Sequence, residues 1–498
     1  MLIPVLSTQS FPLYRAAQVR ELDRRAIQDH GIAGYTLMCQ AGQGAFSALR
    51  EYWPDAARIT VICGAGNNGG DGYVVARLAQ AAGLAAQVLT LKDPTKLAGD
   101  AATAWHDAVS AGVPVQPFEA ALLNDADLLV DAILGTGLQR PVSGDWAQAI
   151  QAINAAQAPV LALDIPSGLH ADSGAVLGYA VRAAMTVTFI ALKQGLLTGD
   201  GPDYCGQLWY DDLDTPAAIF NGLPHASQHY GGEDAANWLP PRPRSSHKGR
   251  HGHVLVMGGD LGMAGAARMA AEAAARCGAG LVSIATRAEH AGLHAAVRPE
   301  LMFHGIAQDN DLAALLERAS VLAVGPGLGT RDWGRSLFDS ALASGKPLVL
   351  DADALNMLAA APYRNEHWIL TPHPGEAARL LGSTTAKVQA DRFAAVQALQ
   401  QRYGGVIVLK GAGSLIADAV DCTLCSAGNP GMGTGGMGDV LSGVIASLLA
   451  QGIPPYPAAR LAVFLHARAG DLAAADGERG LLACDLLPFL RHLVNPGQ

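Results

Sequence analysis

Residues Asn429 to Gly443 read N-P-G-M-G-T-G-G-M-G-D-V-L-S-G, and glycine fills five of the eight positions from Gly431 to Gly438. The pattern then changes to helical spacing. Val440, Leu441, Val444, Ile445, Leu448 and Leu449 recur until Gly452 and Pro454 supply a stop. A glycine-rich loop running straight into a helix turns backbone N–H groups toward the positive end of the helix dipole, which suits phosphate or another anion. Asp439 stands at that junction, where a carboxylate repels phosphate unless it has a chemical task.

A second constellation lies in the first half. Gly64 to Gly72 reads G-A-G-N-N-G-G-D-G directly after a strand-like run, Ile59 to Cys63. Its formal G-x-G-x-x-G (Gly64, Gly66, Gly69) is by itself a weak dinucleotide signal, and the acid that should end the next strand, Asp93, arrives late. Asn67, Asn68, Gly69, Gly70 and Asp71 instead crowd amide and carboxyl groups at the top of the first strand. Asp131 is followed by G-T-G-L at Gly135 to Leu138, and Asp164 by I-P-S-G at Ile165 to Gly168. The alternative for either aspartate taken alone is capping of the loop that follows it. Three such clusters on one edge of an α/β sheet read as a site. Asn68, Asp131 and Ser167 offer only oxygen ligands, as a hard cation prefers, which leaves Asp164 as a candidate general acid/base.

The second half carries further polar clusters after strand-like runs. They are Gly325-Pro326-Gly327-Leu328-Gly329, Asp351 to Asn356, Thr371-Pro372-His373-Pro374-Gly375-Glu376 and Lys410-Gly411-Ala412-Gly413-Ser414. No G-x-x-x-x-G-K-[ST] occurs, so a P-loop is excluded, and Lys410 with the small residues after it suits a nucleotide's base or phosphates. His373, between two prolines, is either a rigid contact or a turn histidine. The lone C-x-x-C at Cys422 and Cys425 lacks a second pair and reads as part of a strand. His247, His251 and His253 lie in a basic run without acidic partners and read as a solvated entry.

Alternating strands and helices must position these groups, and in both halves they do. Ala85 to Leu91, Leu128 to Ile133, Val160 to Ile165 and Met185 to Ile190 continue the first half as strands, with a helix over roughly Tyr73 to Ala82. In the second half Val254 to Met257, Leu281 to Ala285, Val321 to Val324, Leu348 to Leu350, Trp368 to Leu370 and Val406 to Leu409 alternate with helices at Ala264 to Arg276, Gly375 to Leu381, Val388 to Gln401 and Asp439 to Gln451. The fold class is therefore α/β with mainly parallel, doubly wound sheets. The breaker-rich stretch Asp211 to Gly252 places a seam near residue 230.

The 498 residues allow two or more domains. A net charge of −10 argues against nucleic acid or anionic membrane as partner, so an anionic ligand must be held by local dipoles and a few placed cations. Seven scattered cysteines suit reduced thiols, and the start lacks the pattern of a signal peptide, so a cytoplasmic location is expected.

At this point the motifs match a known family. The G-A-G-N-N-G-G-D-G, D-A-I-L-G-T-G-L and D-I-P-S-G set resembles the NAD(P)H-hydrate epimerase domain. V-G-P-G-L-G, L-D-A-D-A-L-N, T-P-H-P-G-E-A, L-K-G-A-G-S and G-G-M-G-D-V-L-S-G resemble the ADP/ATP-dependent NAD(P)H-hydrate dehydratase. Their order is similar to that in the bifunctional repair enzymes, and the resemblance covers nearly the whole chain. It implies a Rossmann-like epimerase domain over 1–228 and a ribokinase-like dehydratase domain over 229–498. The substrate it implies is NADHX or NADPHX, the reduced nicotinamide cofactor hydrated at C6.

The resemblance also assigns residues. Asn67, Asn68, Gly69, Gly70, Asp71, Gly135, Thr136, Gly137, Leu138, Gln139, Arg140, Pro141 and Asp164 would hold the hydrate during epimerisation, with Asp164 catalytic. Asn68, Asp131 and Ser167 would bind potassium. In the dehydratase, Asp439 would be the base on the substrate hydroxyl, with Ala264, Gly327 and His373 on the hydrate. Lys410, Gly411, Ala412, Gly413, Ser414, Gly435, Gly436 and Gly438 would meet ADP or ATP, accompanied by magnesium. A homo-oligomer is expected. The competing readings are a ribokinase-type vitamin kinase fused to a nucleotide-binding domain, and a non-enzymatic first half that merely recognises nucleotides.

Overall fold

The computed structural model describes residues 2–307 and 309–496. The chain divides into two compact units: residues up to Leu6 with Phe11–Gln228, and Ser7–Ser10 with His229 onward.

In the first unit, β-branched and leucine-rich runs form short buried strands; in Arg58–Cys63 (R-I-T-V-I-C) every residue but the first is buried. The sheet order is Leu2–Pro4, Gln207–Asp211, Met185–Phe189, Val160–Leu163, Leu128–Ala132, Arg58–Cys63, Ala85–Thr90, Val115–Pro117. All neighbours pair in parallel except the first two. Parallel strands deliver their C-terminal ends to one edge, so the segments after Cys63, Ala132, Leu163 and Phe189 converge there. Helices cover both faces, over cores centred on Val61, Val130 and Leu161 on one side and Ile62, Leu129 and Ile150 on the other.

The second unit's sheet runs Met302–Gly305, Leu281–Thr286, His253–Met257, Val321–Val324, Leu348–Leu350, Trp368–Leu370, Val406–Leu409, Ser414–Ala417, Cys422–Cys425. It is parallel up to Val406–Leu409 and antiparallel after it. Its common edge gathers Gly258–Ala264, Gly325–Gly329, Asp351, Thr371–His373 and Lys410. The helix Met437–Ala450 is buried along almost all of its length and packs against Ala264–Arg276. Gly443 permits that approach: a Cβ there would lie 2.0 Å from the Ala270 carbonyl oxygen.

Two elements depart from the periodic pattern. The helix expected from Tyr73 begins at Asn67, so N-N-G-G-D-G forms its first turns and not a loop. Gly69 and Gly72 serve that start, since a Cβ would lie 2.4 Å from the Gly64 oxygen at Gly69 and 2.5 Å from the Ala132 Cβ at Gly72. The helix expected over Val388 to Gln401 is two helices, Thr385–Ala390 and Arg392–Tyr403. Asp391 separates them with an extended φ of −149° while its carboxylate accepts from the Ala394 N–H at 2.9 Å.

Candidate active sites

The converging edge of the first unit surrounds a cavity of about 630 Å³. Asn67, Asn68 and Asp71 line it, as do Gly135, Thr136, Gly137, Leu138, Gln139, Arg140 and Asp164. Gly69, Gly70 and Pro141 are not in the lining. The first two face packing neighbours, Gly64 and Met38, and Pro141 is exposed. Asp93 lies elsewhere, capping the turn Pro94–Lys96 through Thr95 at 3.1 Å.

Asp164 occupies the left-handed region (φ 66°), closed by a hydrogen bond of 2.8 Å from the Ile165 N–H to the Leu163 oxygen. The neighbouring strand ends the same way, with Ile190 at φ 63° and Ala191 N–H donating to the Phe189 oxygen at 2.7 Å. These are γ-turns with positive φ, costly for a residue with a Cβ and more so for a β-branched one. Both residues line the cavity, where such strain is retained because the surrounding structure fixes it.

Lys193, fully buried, donates to Asp164 Oδ1, to Thr188 Oγ1 at 2.9 Å and to the Phe189 oxygen at 2.9 Å. Its three donors are thereby used. Asp71 faces the same cavity without a hydrogen bond of its own among the described residues. Burial first, then the charges of Asp164 and Asp23, push its carboxyl well above the usual range. Asp23, also in the lining, is pushed up to about 6, chiefly by burial.

Asp131 is fully buried and accepts from Ile133 N at 3.2 Å, Ser167 N at 2.8 Å and Ser167 Oγ at 2.6 Å. It thus braces the loop after Asp164, while burial raises its carboxyl to about 6. The amide oxygen and nitrogen of Asn68 are buried and make no hydrogen bond among the described residues. Gly135 links Asn68 to Asp164: a Cβ there would lie 3.5 Å from Asn68 Cβ and 3.7 Å from Asp164 Oδ2.

In the second unit, Gly436 (φ 93°) caps the helix Met437–Ala450 and sets Asp439 in its first turn. Burial, and then the charges of Asp351 and Asp353 against that of Lys410, raise Asp439 to about 7. Lys410 Nζ donates to Asp351 Oδ1 at 2.7 Å and lies 3.8 Å from Glu376 Oε2. Burial opposes the ammonium, but Asp351 and Glu376 outweigh it and raise the Lys410 pKa. Asp351 also accepts from Ser442 Oγ at 2.9 Å. A Cβ at Gly438 would come within 3.2 Å of both Asp351 Oδ2 and Lys410 Nζ, so these groups share one small space with the glycine loop.

The loop from Lys410 to Ser414 is fixed from beneath by buried Arg392, which donates to the carbonyls of Leu409 at 3.2 Å, Lys410 at 3.3 Å and Gly413 at 3.4 Å. Gly411 adopts φ 137°, where a Cβ would meet Arg392 at 2.8 Å. Ser414 Oγ donates to the Gly411 oxygen at 2.9 Å. His373 is a helix cap: its Nδ1 accepts from Gly375 N at 3.0 Å and its own N–H donates to Glu376 Oε2 at 2.8 Å, while its ring stays half exposed. Ala264 begins a helix, and Gly327 (φ 58°) packs on Met263 just before it.

Lys193, Asp23 and Arg392 escape sequence reasoning. Lys193 did leave a signal, a single charge inside the apolar run F-I-A-L-K-Q-G-L-L. Asp23 and Arg392 sit in helices whose charges look like solvated faces.

Two family models match the chain: NAD(P)H-hydrate dehydratase over residues 254–491, and the YjeF-related protein N-terminus over residues 34–195. The bifunctional NAD(P)H-hydrate repair enzyme of Coxiella burnetii is 52% identical over 486 residues, 97% of this chain and 99% of that one. The Escherichia coli enzyme of the same description is 45% identical, over 97% of this chain and 94% of that one. A solved ADP/ATP-dependent NAD(P)H-hydrate dehydratase from Bacillus subtilis, co-crystallised with ATP and magnesium, is 32% identical with a TM-score of 0.48, covering 52% of this chain and 95% of that one. Two family models side by side, and relatives aligned almost end to end, make the chain a member of the bifunctional NAD(P)H-hydrate repair enzyme family.

Proposed function

We propose that the first unit, residues 1–228, interconverts the R and S forms of hydrated NADH and NADPH. The second, residues 229–498, dehydrates the S form at the expense of ADP or ATP. What supports this is the presence in one chain of two differently built acid–base sites. One is a carboxylate-lined cavity with a lysine-held aspartate; the other is an aspartate at a glycine loop beside a lysine.

The hydroxyl at C6 sits next to the ring nitrogen, so inversion requires it to leave and return on the other face. Asp71, whose carboxyl is pushed up by burial and by its carboxylate neighbours, gives the proton that makes water the leaving group. The nitrogen lone pair forms the N=C6 bond, and water adds to the opposite face as Asp164 takes its proton. Asn67, Asn68, Asp71 and Gly135 through Arg140, which line the cavity, hold the hydrate, with Gly69 and Gly70 packing beneath them. Asn68, Asp131 and Ser167 would hold potassium, and they suit a hard cation: among the described residues the buried Asn68 amide has no partner, and Asp131 is a buried carboxylate that accepts from neutral donors.

In the second unit, Asp439 removes the proton of the C6 hydroxyl, whose oxygen takes the terminal phosphoryl group of the nucleotide as the phosphoanhydride P–O bond breaks and AMP (from ADP) or ADP (from ATP) leaves. The amides from Gly435 to Gly438 stabilise that group, and Lys410 through Ser414 hold the nucleotide. Hydroxide is a poor leaving group and phosphate a good one. Phosphate then departs with the C6–O electron pair, and the C5 proton passes to water as its C–H electron pair forms the C5=C6 double bond. Ala264, Gly327 and His373 contact the hydrate. Magnesium would accompany the nucleotide and would neutralise charge on its phosphates, with few protein ligands, as is usual for this ion. Incubating the chain with mixed R and S hydrates and either nucleotide tests the proposal: all of the hydrate returns to reduced nicotinamide. Accumulation of a phosphorylated product without that return contradicts it.

A further inference from the structure

At the same sheet edge, Asp260 follows the strand His253–Met257, Arg287 follows Leu281–Thr286, and Arg331 lies beyond Val321–Val324. Asp260 is 1% exposed, and both its oxygens are engaged. Oδ1 accepts from Leu261 N at 2.8 Å and Arg287 Nε at 2.7 Å; Oδ2 accepts from Arg331 Nη2 at 3.2 Å. Burial would raise this carboxyl, but the Arg287 partnership outweighs it and holds the group below the usual range.

One buried carboxylate therefore orients two guanidinium groups and leaves one positive charge in surplus. A guanidinium has five N–H donors, and each arginine gives only one of them to Asp260. The remaining donors have no protein acceptor among the described residues. Arg287 is fixed further by stacking on Trp333, with its guanidinium carbon 4.4 Å from the ring centroid. Arg331 is 71% exposed, so its bond to Asp260 adds little to stability. The other charged neighbours in sequence, Glu289 and Asp332, are both exposed, and His290 is turned inward to the Gly259 oxygen at 3.0 Å.

This pair belongs to the loops that would hold the hydrate. Asp260 N donates to the Gly327 oxygen at 2.7 Å, and Met263, just before Ala264, donates to the Asp260 oxygen at 2.8 Å. A Cβ at Gly329 would lie 2.6 Å from Asp260 Oδ2. We infer that Arg287 and Arg331, oriented by Asp260, form a binding site for a phosphate group of the dinucleotide substrate of the second unit. Planar, oriented forks of this kind match phosphate oxygens in pairs. The group is either the pyrophosphate, shared by both hydrates, or the 2′-phosphate, present only on hydrated NADPH.

The inference rests on the dehydratase reading, and kinetics separate the two. Wild-type protein, Arg331→Ala and Arg287→Gln are compared with the S forms of hydrated NADH and hydrated NADPH at saturating ADP. Each variant raises the KM for the hydrate roughly tenfold or more, the scale of a lost charge-assisted hydrogen bond, with kcat changed less than twofold. The KM for ADP stays constant. A rise confined to hydrated NADPH assigns the 2′-phosphate, and an equal rise for both assigns the pyrophosphate. Unchanged KM for both hydrates in the exposed Arg331→Ala variant, or a rise for ADP instead, overturns the inference. Failure of the wild type to dehydrate either hydrate refutes the dehydratase reading itself.

Discussion

Lys193 holds Asp164 from a position with no solvent exposure, while the carboxylate it grips is 17% exposed and opens on the cavity. The cation is inside and the anion faces the substrate space. Because Thr188 and Phe189 take the other two ammonium donors, Lys193 fixes one Asp164 oxygen and leaves the rest of the carboxylate free. Asp71 and Asp23 face the same cavity without such a partner among the described residues. One lysine thus divides equal side chains into unequal roles.

Removing Asp164 separates the two activities. Asp164→Asn lowers R/S interconversion by about 100-fold or more, the usual worth of a general base, and leaves dehydration of the S form unchanged. Chiral chromatography of the hydrates reads the first, and return of reduced-nicotinamide absorbance reads the second. Interconversion at the wild-type rate would remove Asp164 from the mechanism.

Lys193→Met leaves Asp164 without its buried partner. The variant loses about 3–5 kcal/mol, the cost of breaking a buried ion pair from one side. The double variant Lys193→Met with Asp164→Asn recovers part of that loss, because both charges are gone. Denaturant unfolding of the four proteins in the cycle measures both numbers, and equal losses for single and double variants contradict the pairing.

The pH dependence of dehydration follows from Asp439. As a base it acts deprotonated, so kcat/KM falls about tenfold per pH unit below about 7 and levels off above it. The stability effect has the opposite direction. A carboxyl raised from 3.8 to about 7 binds protons more tightly when folded, so stability falls as pH rises through that window. Asp439→Asn therefore raises Tm at pH 8 and leaves it nearly unchanged at pH 4. A Tm gain at pH 4 as large as that at pH 8 counts against the assignment.

If Asn68 holds potassium as proposed, the ion stabilises the first unit. Calorimetry in KCl gives a higher Tm for that unit than the same concentration of LiCl, because binding to the folded state alone shifts unfolding. The difference vanishes in Asn68→Ala. A salt effect that survives this substitution points to a site elsewhere.

The polar clusters at the sheet edges were legible because parallel strands carry chemistry at their C-terminal ends: Asp164, Asp351 and Lys410 directly follow buried strands, and Asp131 lies near the end of one. Glycine was less transparent. Gly64 and Gly69 look like room for a ligand, yet a Cβ at Gly64 would lie 1.9 Å from the Ile133 oxygen and one at Gly69 close to Gly64 itself. They serve strand and helix packing, a demand that a local pattern does not distinguish from phosphate contact. His373 likewise shows in sequence as a constrained ring, and its cap on Gly375 is visible only in three dimensions. Lys193, Asp23 and Arg392 lie outside any glycine cluster, and what Lys193 and Arg392 hold is distant in sequence: Asp164 precedes Lys193 by a whole strand, and Arg392 reaches the carbonyls of Leu409, Lys410 and Gly413.

The central claim is that one chain prepares and then consumes a single isomer. It is tested most directly by mixing R and S hydrates with ADP and following the reduced nicotinamide to completion. The account predicts full return for the wild type, and return of only the S fraction for Asp164→Asn on the timescale of the wild-type reaction. Full return at the wild-type rate in that variant, or an S-only return in the wild type, contradicts it.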